Sequence, residues 1–205
     1  MRLRSIYLAF VMAVACGVSD IAADNRNTRD EEKDPLELEL ETNINTPVIP
    51  KKLRATVLEN IRSNVSHLRK QNLAVHTTRS QEVIVVTIPC DELFAANSTT
   101  LLPTAAQKLK PLLPYLKQPQ LYKMLVAVYS DNTGSEEYAD ALTYARVAQI
   151  DEFFTSSAGE NIMLVPYNMG MEDPVTDNNT RANRNKNRRV EFYLVPDRAL
   201  FQKIK

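Results

Sequence analysis

Tryptophan is absent from this chain of 205 residues, and glycine occurs only four times, cysteine twice and histidine twice. So few glycines argue against a glycine-rich nucleotide-binding fold or a repeat propeller. The two histidines, His67 and His76, show no metal-ligand spacing with each other or with a cysteine. No Ser/His/Asp arrangement or nucleophile elbow is visible. The chain is expected to be no enzyme and to carry no metal or cofactor. Charge of one sign is also lacking: 25 basic residues face 25 acidic ones, whereas a dedicated nucleic-acid-binding domain is usually strongly basic. The strongest apolar run, at the N-terminus, is too short to cross a bilayer, which argues against an integral membrane protein. What is present is a 44% apolar fraction, enough for one ordinary domain with its own core.

The first residues point to export. Arg2 and Arg4 precede an apolar run of ten, Ile6 to Ala15, and small residues lead to Cys16 and Gly17. These are the parts of a secretory signal, assigned to 1–15. Ala13-Val14-Ala15-Cys16 resembles a bacterial lipoprotein box, with alanine where leucine is usual, which makes Cys16 the lipidation candidate. The alternative is simple cleavage before an incidental cysteine, giving a soluble periplasmic protein. Cys90, at the end of the apolar stretch Val83 to Pro89, is expected to be a buried small hydrophobe rather than a disulfide partner.

Residues 16–50 are expected to be a flexible acidic tether. Asp24 to Pro50 holds eight acids, three bases and three prolines, too little apolar surface to offset the entropy of ordering. Leu36 to Glu41 alternates leucine and glutamate with strand periodicity; the alternatives are docking on a sheet edge and, the expectation here, a solvated stretch. Residues 51–72 read as an amphipathic helix, with Leu53, Val57, Leu58, Ile61, Val65 and Leu68 on one face. Leu73–Thr78 and Glu82–Pro89 suggest a hairpin. A helical pattern over Thr104–Lys117 should be shortened or bent by Pro111 and Pro114. Leu121–Tyr129 is a strand, Glu136–Ser157 the longest helical pattern, and Ile162–Tyr167 and Arg189–Val195 complete the strands. The fold class expected is α+β, with helices packed on one face of a mixed sheet.

Four separate motifs carry a resemblance. Ser130-Asp131-Asn132-Thr133-Gly134-Ser135 is similar to the "G-x-T-D-x-x-G-S" loop of OmpA-like peptidoglycan-binding domains. Leu142 to Val147 resembles that family's "L-S-x-x-R-A". Gly170, Pro174, Asn178, Thr180, Arg184 and Asn187-Arg188-Arg189-Val190-Glu191 fit "G…P…N-x-T…R-x-x-N-R-R-V-E", and Leu93 to Asn97 resembles "L-F-x-x-N/D". Ala139 stands where asparagine is usual, Thr143 for serine, Ser130 for threonine and Asn183 for glycine, a position where a left-handed backbone is expected.

The resemblance implies a two-layer α/β sandwich with a β-α-β-α-β-β core over residues 73–205, preceded by the helix of 51–72. It also implies non-covalent binding of peptidoglycan through the meso-diaminopimelate of the stem peptide. That residue ends in an ammonium and a carboxylate on one carbon, so its receptor needs a fixed anion and a fixed cation. Asp131 and Arg146 match the family's pair, and Asn97, Ser130, Thr133 and Arg189 are the further site residues implied. Arginine suits the carboxylate because its planar fork makes two parallel charge-assisted hydrogen bonds. For Arg146 to reach the loop, the helix should begin near Asp140, with a break or 3₁₀ turn around Glu136 to Ala139. The structural alternative is that Asp131 stabilises its own loop and Arg146 forms a surface ion pair. The basic run Arg181, Arg184, Lys186, Arg188 and Arg189 lacks interleaved aromatics and is expected to be a solvated face or a rim against an anionic wall, not a nucleic-acid site. The expected partners are peptidoglycan and, through the lipid anchor, the outer membrane, with the domain facing the periplasm. The rival function is an OmpA-like domain whose altered site docks another envelope protein.

Overall fold

Alternation along the strands decides which residues face which layer. The computed structural model describes residues 35–159 and 162–204; the signal-like segment, Cys16 and the tether up to residue 34 lie outside the described residues. In chain order there follow a 3₁₀ turn (Pro35–Glu37), α1 (Leu40–Asn43), α2 (Arg54–Lys70), β1 (Ala74–Thr78), β2 (Val83–Pro89), α3 (Cys90–Leu93) and α4 (Ala105–Leu109). Then come α5 (Leu113–Leu116), β3 (Tyr122–Tyr129), α6 (Glu136–Ala158), β4 (Leu164–Gly170), α7 (Arg181–Asn187), β5 (Arg189–Pro196) and α8 (Arg198–Lys203).

The strands form one sheet in the order β1-β2-β5-β3-β4. All neighbours are antiparallel except β3 and β4. That parallel pair needs a long crossover, which α6 supplies. Ile84, Val86 and Ile88 on β2, Met124, Val126 and Val128 on β3, and Val190, Phe192 and Leu194 on β5 face the helices. Val57, Ile61, Val65 and Leu68 of α2 meet them at steps of three and four, as do Val147, Ile150 and Phe154 of α6. Pro111 and Pro114 have the expected effect: the 104–117 pattern is α4, a 3₁₀ turn at Lys110–Leu112, and α5.

Two expectations need correction. α6 is unbroken from Glu136 to Ala158. The Ser135 hydroxyl caps it by accepting the Tyr138 amide at 3.2 Å, and Glu136 and Glu137 sit at its positive end. Ala139, the strongest helix former, stands where the break was expected.

The second correction concerns residues 35–49, which dock instead of remaining a solvated tether. Leu40 and Ile44, one turn apart, join Val83, Val85, Leu125, Ala127, Val165, Tyr193 and Val195 on the sheet face opposite the main helices. Ile49 reaches the helix-side core. Asn43, fully buried, donates to the Pro35 carbonyl at 2.6 Å and to the Tyr167 hydroxyl at 2.8 Å. Tyr167 donates on to the Leu38 carbonyl at 2.8 Å, and Lys123 donates to the Asn43 side-chain oxygen. Glu82 fixes the segment further along, accepting from Thr46 at 2.7 Å and Arg54 at 2.6 Å. A helical i, i+4 pair of apolar residues and one amide hub therefore hold what charge and proline content mark as loose.

Asn43→Ala should lower stability by about 1–3 kcal/mol, because several buried polar groups lose a partner at once. Urea denaturation measures it, and an unchanged midpoint would show that the segment contributes nothing.

Candidate functional site

Where β3 ends, the chain turns sharply and stays pinned. The Ser130 amide donates to the Gly170 carbonyl at 2.6 Å. Gly170 closes β4 at φ 52, in the left-handed region that favours glycine, and a Cβ there would force the Asp140 carboxylate, 2.1 Å away, to move. Its amide donates at 3.2 Å to the Thr143 hydroxyl, which itself donates to the Ala139 carbonyl at 2.9 Å. These bonds tie the strand ends to the first turns of α6.

Asp131 points inward from this turn, its side chain 4% exposed. One carboxylate oxygen accepts the Thr133 amide at 2.8 Å, an Asx turn. The other accepts from the Arg188 guanidinium. Burial alone would push the carboxyl pKa up, but the Thr133 hydrogen bonds and the Arg188 charge outweigh it and hold the group below its ordinary value. Asp131 is thus a charged, nearly enclosed carboxylate.

Arg146 lies in the third turn of α6 and is also buried. Its Nε donates to the Ser98 carbonyl at 2.9 Å, and a terminal nitrogen to the Ala95 carbonyl at 3.4 Å. The guanidinium sits 4.9 Å from the Phe94 ring centre. It supports the turn that ends at Asn97, an exposed residue at φ 58. No hydrogen bond joins Arg146 to Asp131; the cation on Asp131 is Arg188. Both arginines act electrostatically on the buried Cys90 thiol. Burial pushes that thiol up to about 11, against the opposing pull of Arg146 and Arg188. Cys90 is free and buried, as its apolar setting suggested.

The other implied residues divide. Ser130 is buried beside Asp131, while Thr133 and Asn97 are exposed at the rim. Arg189 points to the opposite sheet face. There it donates to Glu191 at 2.8 Å and to the Asp173 carbonyl at 3.1 Å, with its guanidinium 3.7 Å from the Tyr129 ring centre. Tyr193 donates to the same Glu191 carboxylate at 2.5 Å. Arg189 is a buried structural pillar, and its neighbour Arg188, grouped above with a solvated basic run, is the residue on Asp131. Adjacent residues entering a strand go to opposite faces, a signal that could have separated the two.

The long motif around them orders the loop that delivers Arg188. Asn187, fully buried, accepts the Thr176 amide at 3.1 Å. It donates to the Thr176 carbonyl at 2.9 Å and to Asn178 at 2.8 Å. Thr180 caps α7 by accepting the Asn183 amide at 3.1 Å, so Asn183 is helical rather than left-handed. Arg184 donates to the Asn178 carbonyl at 2.8 Å.

Among the described residues no group of three His, Cys, Asp or Glu is placed to hold a metal ion, and no helix is long and apolar enough to cross a membrane. A separate cleft of about 490 Å³ lies between α2 and the β1–β2 hairpin, lined by Ile61, Arg62, Val65, Arg69, Lys70 and Gln81, among others. None of the residues around Asp131 lines it. The chemistry on offer is a fixed, buried carboxylate that carries the Arg188 cation, with a second buried arginine, Arg146, fixed on the turn that ends at Asn97.

Known proteins bear out this architecture. A MotB-like protein from Desulfovibrio vulgaris superposes with a TM-score of 0.62 over 70% of this chain and 99% of its own, at 21% identity. The cell wall anchor of the T6SS from Pseudomonas aeruginosa does so at 0.55, over 68% and 97%, with 24% identity. At such identities the likeness is one of fold. The "Probable lipoprotein YiaD" of Escherichia coli is 26% identical over 128 residues, 62% of this chain and 58% of that protein. The outer-membrane lipoprotein YfiB of Pseudomonas aeruginosa is 31% identical over 104 residues, 51% of this chain and 61% of that protein. The chain thus spans about three fifths of the length of these relatives. Leu93 to Arg188, the stretch that holds Asp131, Arg146 and the loop ordered by Asn187, matches the model of the OmpA family, and residues 93–188 are an OmpA family domain.

Proposed function

We propose that this domain binds peptidoglycan without covalent chemistry, gripping the diaminopimelate zwitterion with Asp131 for the ammonium and Arg146 for the carboxylate. The observation that carries the reading is Asp131 itself, a carboxylate kept ionised while almost wholly removed from water. Such a group at the mouth of a strand-to-helix turn is a ready receptor for a cation. Arg146, held by the Ser98 and Ala95 carbonyls, supplies the opposite charge with a planar fork. An OmpA family domain is a binding module rather than an enzyme, and nothing in this arrangement asks for bond making or breaking.

The anchor belongs to the same proposal. With Cys16 lipidated, as the names of the two curated relatives suggest for them, the chain links the outer membrane to the wall from the periplasmic side. Residues 17–34 can extend at most about 60 Å at ~3.3 Å per residue, since the docked segment begins at Pro35. Two or more acyl chains give stable attachment at ~0.8 kcal/mol per buried methylene.

Asp131→Asn is the sharper probe, because Arg146→Ala would also unpin the 94–98 turn and destabilise the fold. Asp131→Asn should remove most sedimentation with purified sacculi. Calorimetry of the wild type should show diaminopimelate muropeptides binding far more tightly than lysine ones, which lack the adjacent carboxylate. Undiminished sacculus binding by the variant would exclude this site and favour an envelope protein as the partner.

The pH dependence has a defined sign. A lowered pKa means that the charged form contributes fully above the ordinary value of 3.8 and is lost as pH falls below it. The difference in binding between wild type and Asp131→Asn should therefore stay constant from pH 7 to about 4 and shrink below that. A loss centred near pH 6 would point to another group.

Cys16→Ser should release the protein from membranes without altering wall binding by the isolated domain. Mass spectrometry of the mature N-terminus checks this, and a free N-terminus without acyl mass would refute lipidation.

A further inference from the structure

The Asp131 carboxylate is covered by the protein's own cation. Asp131 has no open oxygen: the Thr133 amide takes one and Arg188 the other, leaving its side chain 4% exposed. Tyr129 and Ser130 beside it are buried backbone neighbours, so the covering group able to swing away is the Arg188 side chain, which is 35% exposed. Arg188 is tethered on the solvent side as well, its other terminal nitrogen donating to Asn185 on exposed α7. The Asp131 end of the pair is buried, but the Arg188 end reaches water, so the guanidinium can be hydrated when another cation takes its place.

We propose that Arg188 is a displaceable internal counter-ion. It neutralises Asp131 while the site is empty, and the ligand's ammonium takes its place. The inference rests on the zwitterion reading of this site and adds its selection rule. Exchange of one cation for another leaves Asp131 compensated throughout, so the buried carboxylate is never exposed alone. A ligand that offers only a carboxylate has nothing with which to replace Arg188, and the site stays shut to it. Arg188 acts through Asp131 and is therefore a specificity-determining residue whose removal should strengthen binding, the reverse of what loss of a contact residue does.

The test is calorimetry on the full domain with two probes: a muropeptide carrying meso-diaminopimelate, and the same muropeptide with the free amine acetylated. R188A and R188Q should bind the free-amine probe more tightly, by about tenfold if the closed pair is populated nine times in ten. The acetylated probe should bind weakly to wild type and variants alike, because without an ammonium it leaves the buried Asp131 carboxylate uncompensated once Arg188 has gone. In the wild type, the Arg188 Nε–H resonance should shift on addition of the free-amine probe and stay in place with the acetylated one, a readout that does not depend on either variant folding. Wild-type or weaker affinity of a folded variant for the free-amine probe, or an unmoved Arg188 resonance, overturns the counter-ion role. If the wild type binds both probes alike, the zwitterion reading itself fails and the counter-ion role with it.

Discussion

Placing charge at the end of a buried sheet is the constraint around which this domain is built. Asp131 and Arg146 lie where water is nearly excluded, and an uncompensated charge there would be strongly destabilising. Each compensating group must be delivered from a different part of the chain. The Thr133 amide comes from the turn after β3, and the Ser98 and Ala95 carbonyls come from the turn after α3. Arg188 comes from the far end of the α7 loop. That loop has no apolar core of its own and is shaped by amide hydrogen bonds centred on Asn187. The most motif-like part of the sequence thus makes no contact that the zwitterion reading needs; its work is to hold an arginine over a carboxylate.

Strands and the bent helix were legible because each rests on a local rule. Val83 to Pro89 is a run of mostly β-branched residues and Tyr122 to Tyr129 an apolar run broken only by Lys123, both largely buried on both faces, and Pro111 and Pro114 interrupt a helix by sterics alone. The unbroken start of α6 is equally local. Ser135 with Glu136 and Glu137 is a strong cap, and the expectation of a break gave way to it. Arg146 did not need to lean back to the loop, because Arg188 already occupies Asp131. What could not be read locally is long-range. Nothing near Asn43 in the chain announces Tyr167 or Lys123, and composition marked residues 35–49 as solvated. The opposed roles of Arg188 and Arg189 were hidden by counting them in one basic run instead of alternating them across the sheet.

Cys90 shows how the two halves of the site are coupled. Its amide donates to the Arg188 carbonyl at 3.0 Å, and its thiol lies among Arg146, Arg188 and the Tyr129 carbonyl. Burial keeps this small side chain's thiol protonated and inert.

The docked segment alters how a load would travel through the molecule. If Cys16 holds the membrane and Asp131 holds the wall, tension enters at Pro35 and leaves beyond the end of β3. Between those points lie the Asn43 hub, its grip on Tyr167 of β4, and the bond from Ser130 to Gly170 at the end of the same strand. The pull would then run along β4, from Tyr167 to Gly170, with a hydrogen bond at each of these residues. On that footing the edge strand β4, peripheral in the fold, would be the load-carrying element between the two attachment points.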